Sequence, residues 1–160
     1  MFPEMTWLPA TDGDPRAFAL FSRHYSYRPY ADNRRRSFAN ANRYQFVGPG
    51  EKMVLLTADL RALFVWRKFI DDSGQTGVNC AVFRNEGDRL SSELILEAEQ
   101  LAWQRWPGER LYTYVNPRKV ASANPGYCYK MAGWISCGMT KSGMIILEKC
   151  PPRPNLPTGE

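Results

Sequence analysis

The chain has 160 residues, 44% of them hydrophobic and 23% charged, with a net charge of +5 and a pI of about 9.1. This length and balance predict one soluble globular domain with a sizeable core and exclude a disordered or fibrous chain. No apolar run reaches membrane-spanning length, and the start, Met-Phe-Pro-Glu-Met-Thr-Trp, lacks the basic and apolar regions of a signal peptide, so a cytoplasmic protein without a membrane partner is expected.

Residues 1–14 read as a polar, Pro- and Gly-containing lead-in. Asp14-Pro15 then predicts a helix start, with Asp as the cap and Pro at the first helical position. Phe18, Leu20 and Phe21 supply its apolar face, which ends near His24.

The charge is concentrated in the next segment. Arg23, Arg28, Arg34, Arg35, Arg36 and Arg43 face a single acid, Asp32, so this stretch alone carries a surplus equal to that of the whole chain. Tyr25, Tyr27, Tyr30, Phe38, Tyr44 and Phe46 are interleaved with the arginines. A solvated arginine-rich loop would read this way. So would a surface for an anionic partner such as nucleic acid, with aromatics placed to stack on bases.

Gly48-Pro49-Gly50 marks a turn. Lys52–Ala58, Arg61–Ile70 and the run starting at Val78 predict three strands of an antiparallel meander, the last two joined by the polar turn 71–77. Leu90, Leu94, Ala98, Leu101 and Ala102 then recur at helical spacing. Ser91 or Ser92 is the expected cap, and Trp106-Pro107-Gly108 the stop. A strand that feeds a helix through a Gly-containing loop offers backbone N–H groups to a phosphate, and it is also ordinary α/β construction.

Leu111–Val115 predicts a strand. Asn124-Pro125 predicts the start of a short helix closed by Gly133. Trp134–Gly138 and Met144–Lys149 pair as a hairpin, and a Pro-rich tail follows over 151–160. The four cysteines lack the spacing of a zinc or disulfide framework, so buried thiols are expected. Helices segregated against a mainly antiparallel sheet make the fold class α+β.

This order, with Tyr129-Lys-Met-Ala-Gly-Trp134, resembles the GNAT (Gcn5-related N-acetyltransferase) family. The resemblance spans about 52–149 and implies a single GNAT-like domain over 1–150 with an arginine-rich insert at about 23–46. Family members commonly carry Tyr-x-x-x-Gly-aromatic on a short helix before the last hairpin. The resemblance thus implies that Tyr129 lies near the acetyl-CoA sulfur as general acid. The family's pyrophosphate loop, Gln/Arg-x-x-Gly-x-Gly/Ala, falls on Arg84-Asn-Glu-Gly87-Asp-Arg89. Arg84 and Gly87 match. Arg89 replaces a small residue, and either crowds the phosphate or pairs with it. The resemblance also implies cofactor contacts for Ser91, Ser92 and Ser122, each of which could equally be a helix cap.

Within the superfamily, His24-Tyr25-Ser26, the Tyr-rich stretch 116–134 and the unusual phosphate loop resemble the Mom family of phage DNA-modification proteins. That resemblance implies modification of the N6 amine of adenine in double-stranded DNA as protection against restriction, with acetyl-CoA or a related acyl donor. The arginines Arg23 to Arg43 would then hold phosphates, and the compartment would be the host cytoplasm.

His24, the only histidine, is a candidate general base or metal ligand, and also a simple helix-dipole partner. Tyr25 is a candidate proton relay, metal ligand, base-stacking group or core filler. The need for a metal ion stays open. Two other functions fit the residues: an N-acetyltransferase of a protein or small-molecule amine, and a non-enzymatic DNA-binding protein on a GNAT scaffold.

Overall fold

A computed structural model describes residues 5–24, 43–70, 74–119 and 124–152. Among the described residues, the elements run β1 (Trp7–Ala10), α1 (Pro15–Phe21), β2 (Glu51–Thr57), β3 (Ala62–Lys68), β4 (Val78–Asn85), α2 (Ser91–Arg105), β5 (Leu111–Val115), α3 (Tyr127–Met131), β6 (Ile135–Met139) and β7 (Ile145–Lys149). The strands form one seven-stranded sheet in the order β1-β2-β3-β4-β5-β7-β6. Every pairing is antiparallel except β4 with β5. The fold is α+β, and β2–β3–β4 is the meander that the sequence predicts.

The central strand β3 is apolar on both faces, and each face takes a different layer. Leu63 and Val65 pack with Ala17 and Leu20 of α1. Ala62, Phe64 and Trp66 pack with Leu94, Ile95, Ala98 and Ala102 of α2. Two indoles dock α2 onto the sheet: Trp7 Nε1 donates to the Leu94 carbonyl and Trp66 Nε1 to the Ala98 carbonyl, both at 3.0 Å. Each satisfies a buried polar group that would otherwise cost about 1–3 kcal/mol.

The sequence reading errs at four places. Trp7–Ala10 is a strand, not a polar lead-in; Trp7 is buried, and Pro9 is tolerated because, among the described residues, β1 lies at the sheet edge and pairs only with β2. The short helix starts at Tyr127, not at Pro125, because Gly126 at its N-cap adopts φ 78°. Ser91 is the first residue of α2, and neither serine caps it; the N-cap is Leu90, which is exposed and outside the apolar face. Only Cys80 is a buried thiol, since Cys137 and Cys150 are exposed.

Other boundaries follow local chemistry. The Asp14 side chain accepts from the Arg16 N–H at 2.8 Å, with Pro15 in the first helical position. The short helix ends as expected at Gly133, φ 95°. There the Gly133 N–H reaches the Lys130 carbonyl and the Trp134 N–H reaches the Tyr129 carbonyl, each at 3.0 Å, closing the helix by a Schellman pattern.

Gly126 carries a consequence of its own. A Cβ built there would come within 2.6 Å of Leu147 Cδ1, at a φ that L side chains resist. Gly126→Ala should therefore destabilise the chain by about 1–3 kcal/mol, read as a lower urea midpoint. An unchanged midpoint would show that the core around Leu147 yields.

Candidate functional site

The site arises where β4 and β5 part. Their parallel ladder holds for only two pairs, Val78 with Leu111 and Asn79 with Tyr112. At the next step a side chain replaces the ladder: Thr113 Oγ1 donates to the Cys80 carbonyl at 2.9 Å. On its other side β4 shifts register against β3, with Trp66 opposite Cys80 and Val65 opposite Val82. Ala81 is thus an extra residue, a bulge that bends β4 and raises its twist. The bulge sends Val82 toward α1 and leaves Phe83 beside Cys80 on the α2 face.

The gap is a cavity of about 170 Å³ whose lining includes His24, Cys80, Phe83, Thr113, Cys128 and Tyr129. His24 and Tyr129, which stand 105 positions apart in the sequence, thus share one cavity. Tyr129 is buried, and its hydroxyl lies 3.3 Å from Cys80 Sγ. Phe83 and Trp134 flank its ring at centroid distances of 6.3 and 5.1 Å. Burial pushes the Cys80 thiol up to about 12, so it is a neutral hydrogen-bonding partner and not a nucleophile. Tyr127, two residues away on α3, is exposed.

Burial brings His24 down to about 4, and the Arg84 guanidinium pushes the same way. The Phe83 backbone opposes both by accepting a hydrogen bond from the ring. At neutral pH the imidazole is therefore uncharged. That removes the helix-dipole role, which needs an imidazolium, and suits a proton acceptor.

The sign of the resulting pH dependence is fixed. An imidazole with a folded-state pKa below its unfolded value of 6.5 contributes most above pH 6.5. Stability should then fall as pH drops from about 6.5 to about 4, by on the order of 2–3 kcal/mol. A histidine-free variant, His24→Asn, should lack this part of the urea-midpoint profile. If the two profiles run parallel, His24 is not held neutral.

The residues of the expected phosphate loop pair largely with their neighbours. Arg84 donates Nε to Glu86 Oε2 at 2.8 Å, and its terminal nitrogens take no partner among the described residues. The Gly87 N–H is turned inward to Asn85 Oδ1 at 2.9 Å. Asn85 also donates to the Arg89 carbonyl at 2.8 Å and to Ser91 Oγ at 2.9 Å. The Arg89 guanidinium pairs with Glu97 at 3.2 Å and with Thr6 Oγ1 at 2.9 Å, so in this structure it is engaged on the β1 side of the loop. Ser92 makes no cap.

A larger cavity of about 300 Å³ lies on that side, lined in part by Thr6, Asp59, Arg61, Asn85 and Arg89. Its polar side chains pair mostly with one another, and neither His24 nor Tyr129 lines it.

Of the arginines expected to hold nucleic acid, Arg23 is bound to both oxygens of Glu86 and is not a spare phosphate ligand. Arg43 is exposed and lies over the Tyr44 ring, 4.8 Å from its centroid. Arg28, Arg34, Arg35, Arg36, Tyr25 and Ser122 lie outside the described residues. Sequence reasoning missed Glu86, Cys80 and Ala81. An acid inside the proposed anion loop was the only signal available for Glu86, and the bulge at Ala81 has none.

Among the described residues, no group of three metal-ligating side chains is placed to hold a metal ion. Nor is any helix there long and apolar enough to cross a membrane. No protein-family model matches the chain, and no curated protein matches it.

Proposed function

We propose that the chain is a GNAT-like acyltransferase whose acceptor is the N6 amine of adenine in DNA and whose donor is acetyl-CoA or a related acyl thioester. The observation that carries the transferase reading is the convergence of His24 and Tyr129 on the cavity between the parted strands. The DNA acceptor rests on the arginine-rich stretch that directly follows His24 in the sequence.

Each group has a role suited to its surroundings. The parted edges of β4 and β5 suit an extended, amide-bearing donor arm, which can pair with them as a strand would. Arg84 supplies for the donor's phosphates a guanidinium whose terminal nitrogens are unpaired among the described residues. The adenine amine is a poor nucleophile because its lone pair is delocalised into the ring. His24, held uncharged, accepts the proton that the amine gives up as its nitrogen bonds to the acyl carbon. The carbon–sulfur bond breaks, and the Tyr129 hydroxyl gives its proton to the departing thiolate. A base inside a duplex reaches such a cavity only by leaving the stack.

The test is acyl transfer from labelled acetyl-CoA to double-stranded oligonucleotides with or without adenine. Label on adenine-containing DNA alone supports the reading. Label on free amines alone moves the acceptor to a protein or small molecule.

One observation favours a second reading, a non-enzymatic DNA-binding protein on this scaffold. The Gly87 N–H and the Arg89 guanidinium, both expected to face phosphate, are engaged within the protein. Salt-sensitive DNA binding without coenzyme A binding would support it.

A further inference from the structure

Arg23, the residue before His24, clasps Glu86 with two hydrogen bonds, Nε to Oε2 at 2.7 Å and Nη2 to Oε1 at 2.9 Å. Arg84 adds Nε to the same Oε2 at 2.8 Å. The clasp therefore joins the end of α1, which leads into His24, to the loop after β4. Its side chains are 49%, 27% and 35% exposed for Arg23, Glu86 and Arg84, a setting in which ion pairs contribute little to stability. A lone carboxylate beside the Arg84 fork would repel a phosphate. With both arginines on it, the cluster keeps one net positive charge, and among the described residues Arg84 is held by Nε alone.

We propose that Glu86 is a positioning residue for donor binding: it fixes the Arg84 fork and the His24-bearing end of α1 relative to each other, and Arg23 is the cation that lets a carboxylate stand in an anion site. This rests on the acyl-donor reading above. The two arginines also hold the Glu86 carboxyl down to about 2, so the clasp stays charged across the working pH range.

Charge and geometry can be separated. Arg23→Gln with Glu86→Gln removes the clasp yet leaves the same net charge on the cluster. Coenzyme A binding to the full chain, measured by calorimetry, should weaken about tenfold in this double variant, with the melting temperature unchanged. Glu86→Gln alone gains a positive charge and should still bind no tighter than wild type.

In the same samples the imidazole proton resonance of His24, the only histidine, should shift as the end of α1 is released. Wild-type affinity in the double variant, or tighter binding by Glu86→Gln, would show that the cluster only balances charge and would overturn the proposal. A wild-type chain that binds no coenzyme A would overturn the donor reading and this proposal together. Should the double variant fail to fold, Arg23→Lys carries the same test, since it keeps the charge without the two-bond fork. It should bind several-fold more weakly, and wild-type affinity would contradict the proposal.

Discussion

Tyr129→Phe should lower acyl-transfer turnover by about 100-fold or more while leaving the melting temperature within a few degrees of wild type. The substitution removes one oxygen and little else. The ring keeps its place between Phe83 and Trp134, and the backbone bonds that close α3 do not involve the hydroxyl. The hydroxyl also gives up its contact with Cys80 Sγ, a weak hydrogen-bonding partner. On the proposed mechanism, what disappears is the proton for the departing thiolate. Because that proton matters in the transition state and not in donor binding, the loss should fall on kcat, with coenzyme A affinity nearly unchanged. A variant with wild-type turnover would remove Tyr129 from the chemistry. A matched fall in affinity would instead give it a binding role.

Lys149→Met should cost about 3–5 kcal/mol of stability, the largest effect expected of any single substitution considered. Glu99 is fully buried on α2, and its carboxylate takes Lys149 Nζ at 2.7 Å and Trp134 Nε1 at 2.7 Å. Lys149 Nζ also donates to the Ala132 carbonyl at 2.7 Å, so one ammonium ties β7, α2 and the end of α3 together. Removing the lysine strands a buried carboxylate.

For a chain of this size the loss corresponds to a melting shift of about 10 °C. Burial already pushes the Glu99 carboxyl above its ordinary range, against Lys149 and Trp134. Without Lys149 it should rise further and take up a proton on folding. A carboxyl raised in the folded state contributes stability at low pH and loses it as pH rises, so the deficit should narrow toward pH 4–5 and widen toward neutrality. Lys149→Met combined with Glu99→Gln should recover part of the loss, since the amide oxygen can still accept from Trp134. A double variant no more stable than the single would mean that packing, not the stranded charge, sets the cost. The same network steadies the site, because Trp134 packs edge-on against the Tyr129 ring.

What the sequence made legible is the part governed by local chemistry. Asp14-Pro15 starts a helix because an acid cap and a fixed φ are both preorganised there. Leu111–Val115 is a strand with the expected bounds, and Gly133 closes the short helix. Tyr127 and Tyr129 part to exposed and buried faces, as a two-residue helical offset requires.

The misses come from tertiary context. Trp-Leu-Pro-Ala is apolar but only four residues long, with a proline against it, and becomes a strand because Trp7 finds Phe64 and the carbonyl of Leu94. The burial of Glu99 has no apolar signal, although its spacing from Ile95 and Ala102 sets it on the buried face. The bulge at Ala81, which lies in β4 just past its two pairs with β5, is marked by nothing in the local sequence. The Glu86 clasp joins residues 63 positions apart, beyond any periodicity.

The central claim, transfer to adenine in DNA, is tested most directly by mass spectrometry of nucleosides from plasmid DNA. Plasmids would be recovered from cells making the wild-type chain and from cells making Tyr129→Phe. The account predicts a heavier deoxyadenosine with the wild type, its added mass identifying the transferred group, and its near-absence with the variant. Unmodified deoxyadenosine from cells that hold folded wild-type protein would contradict it.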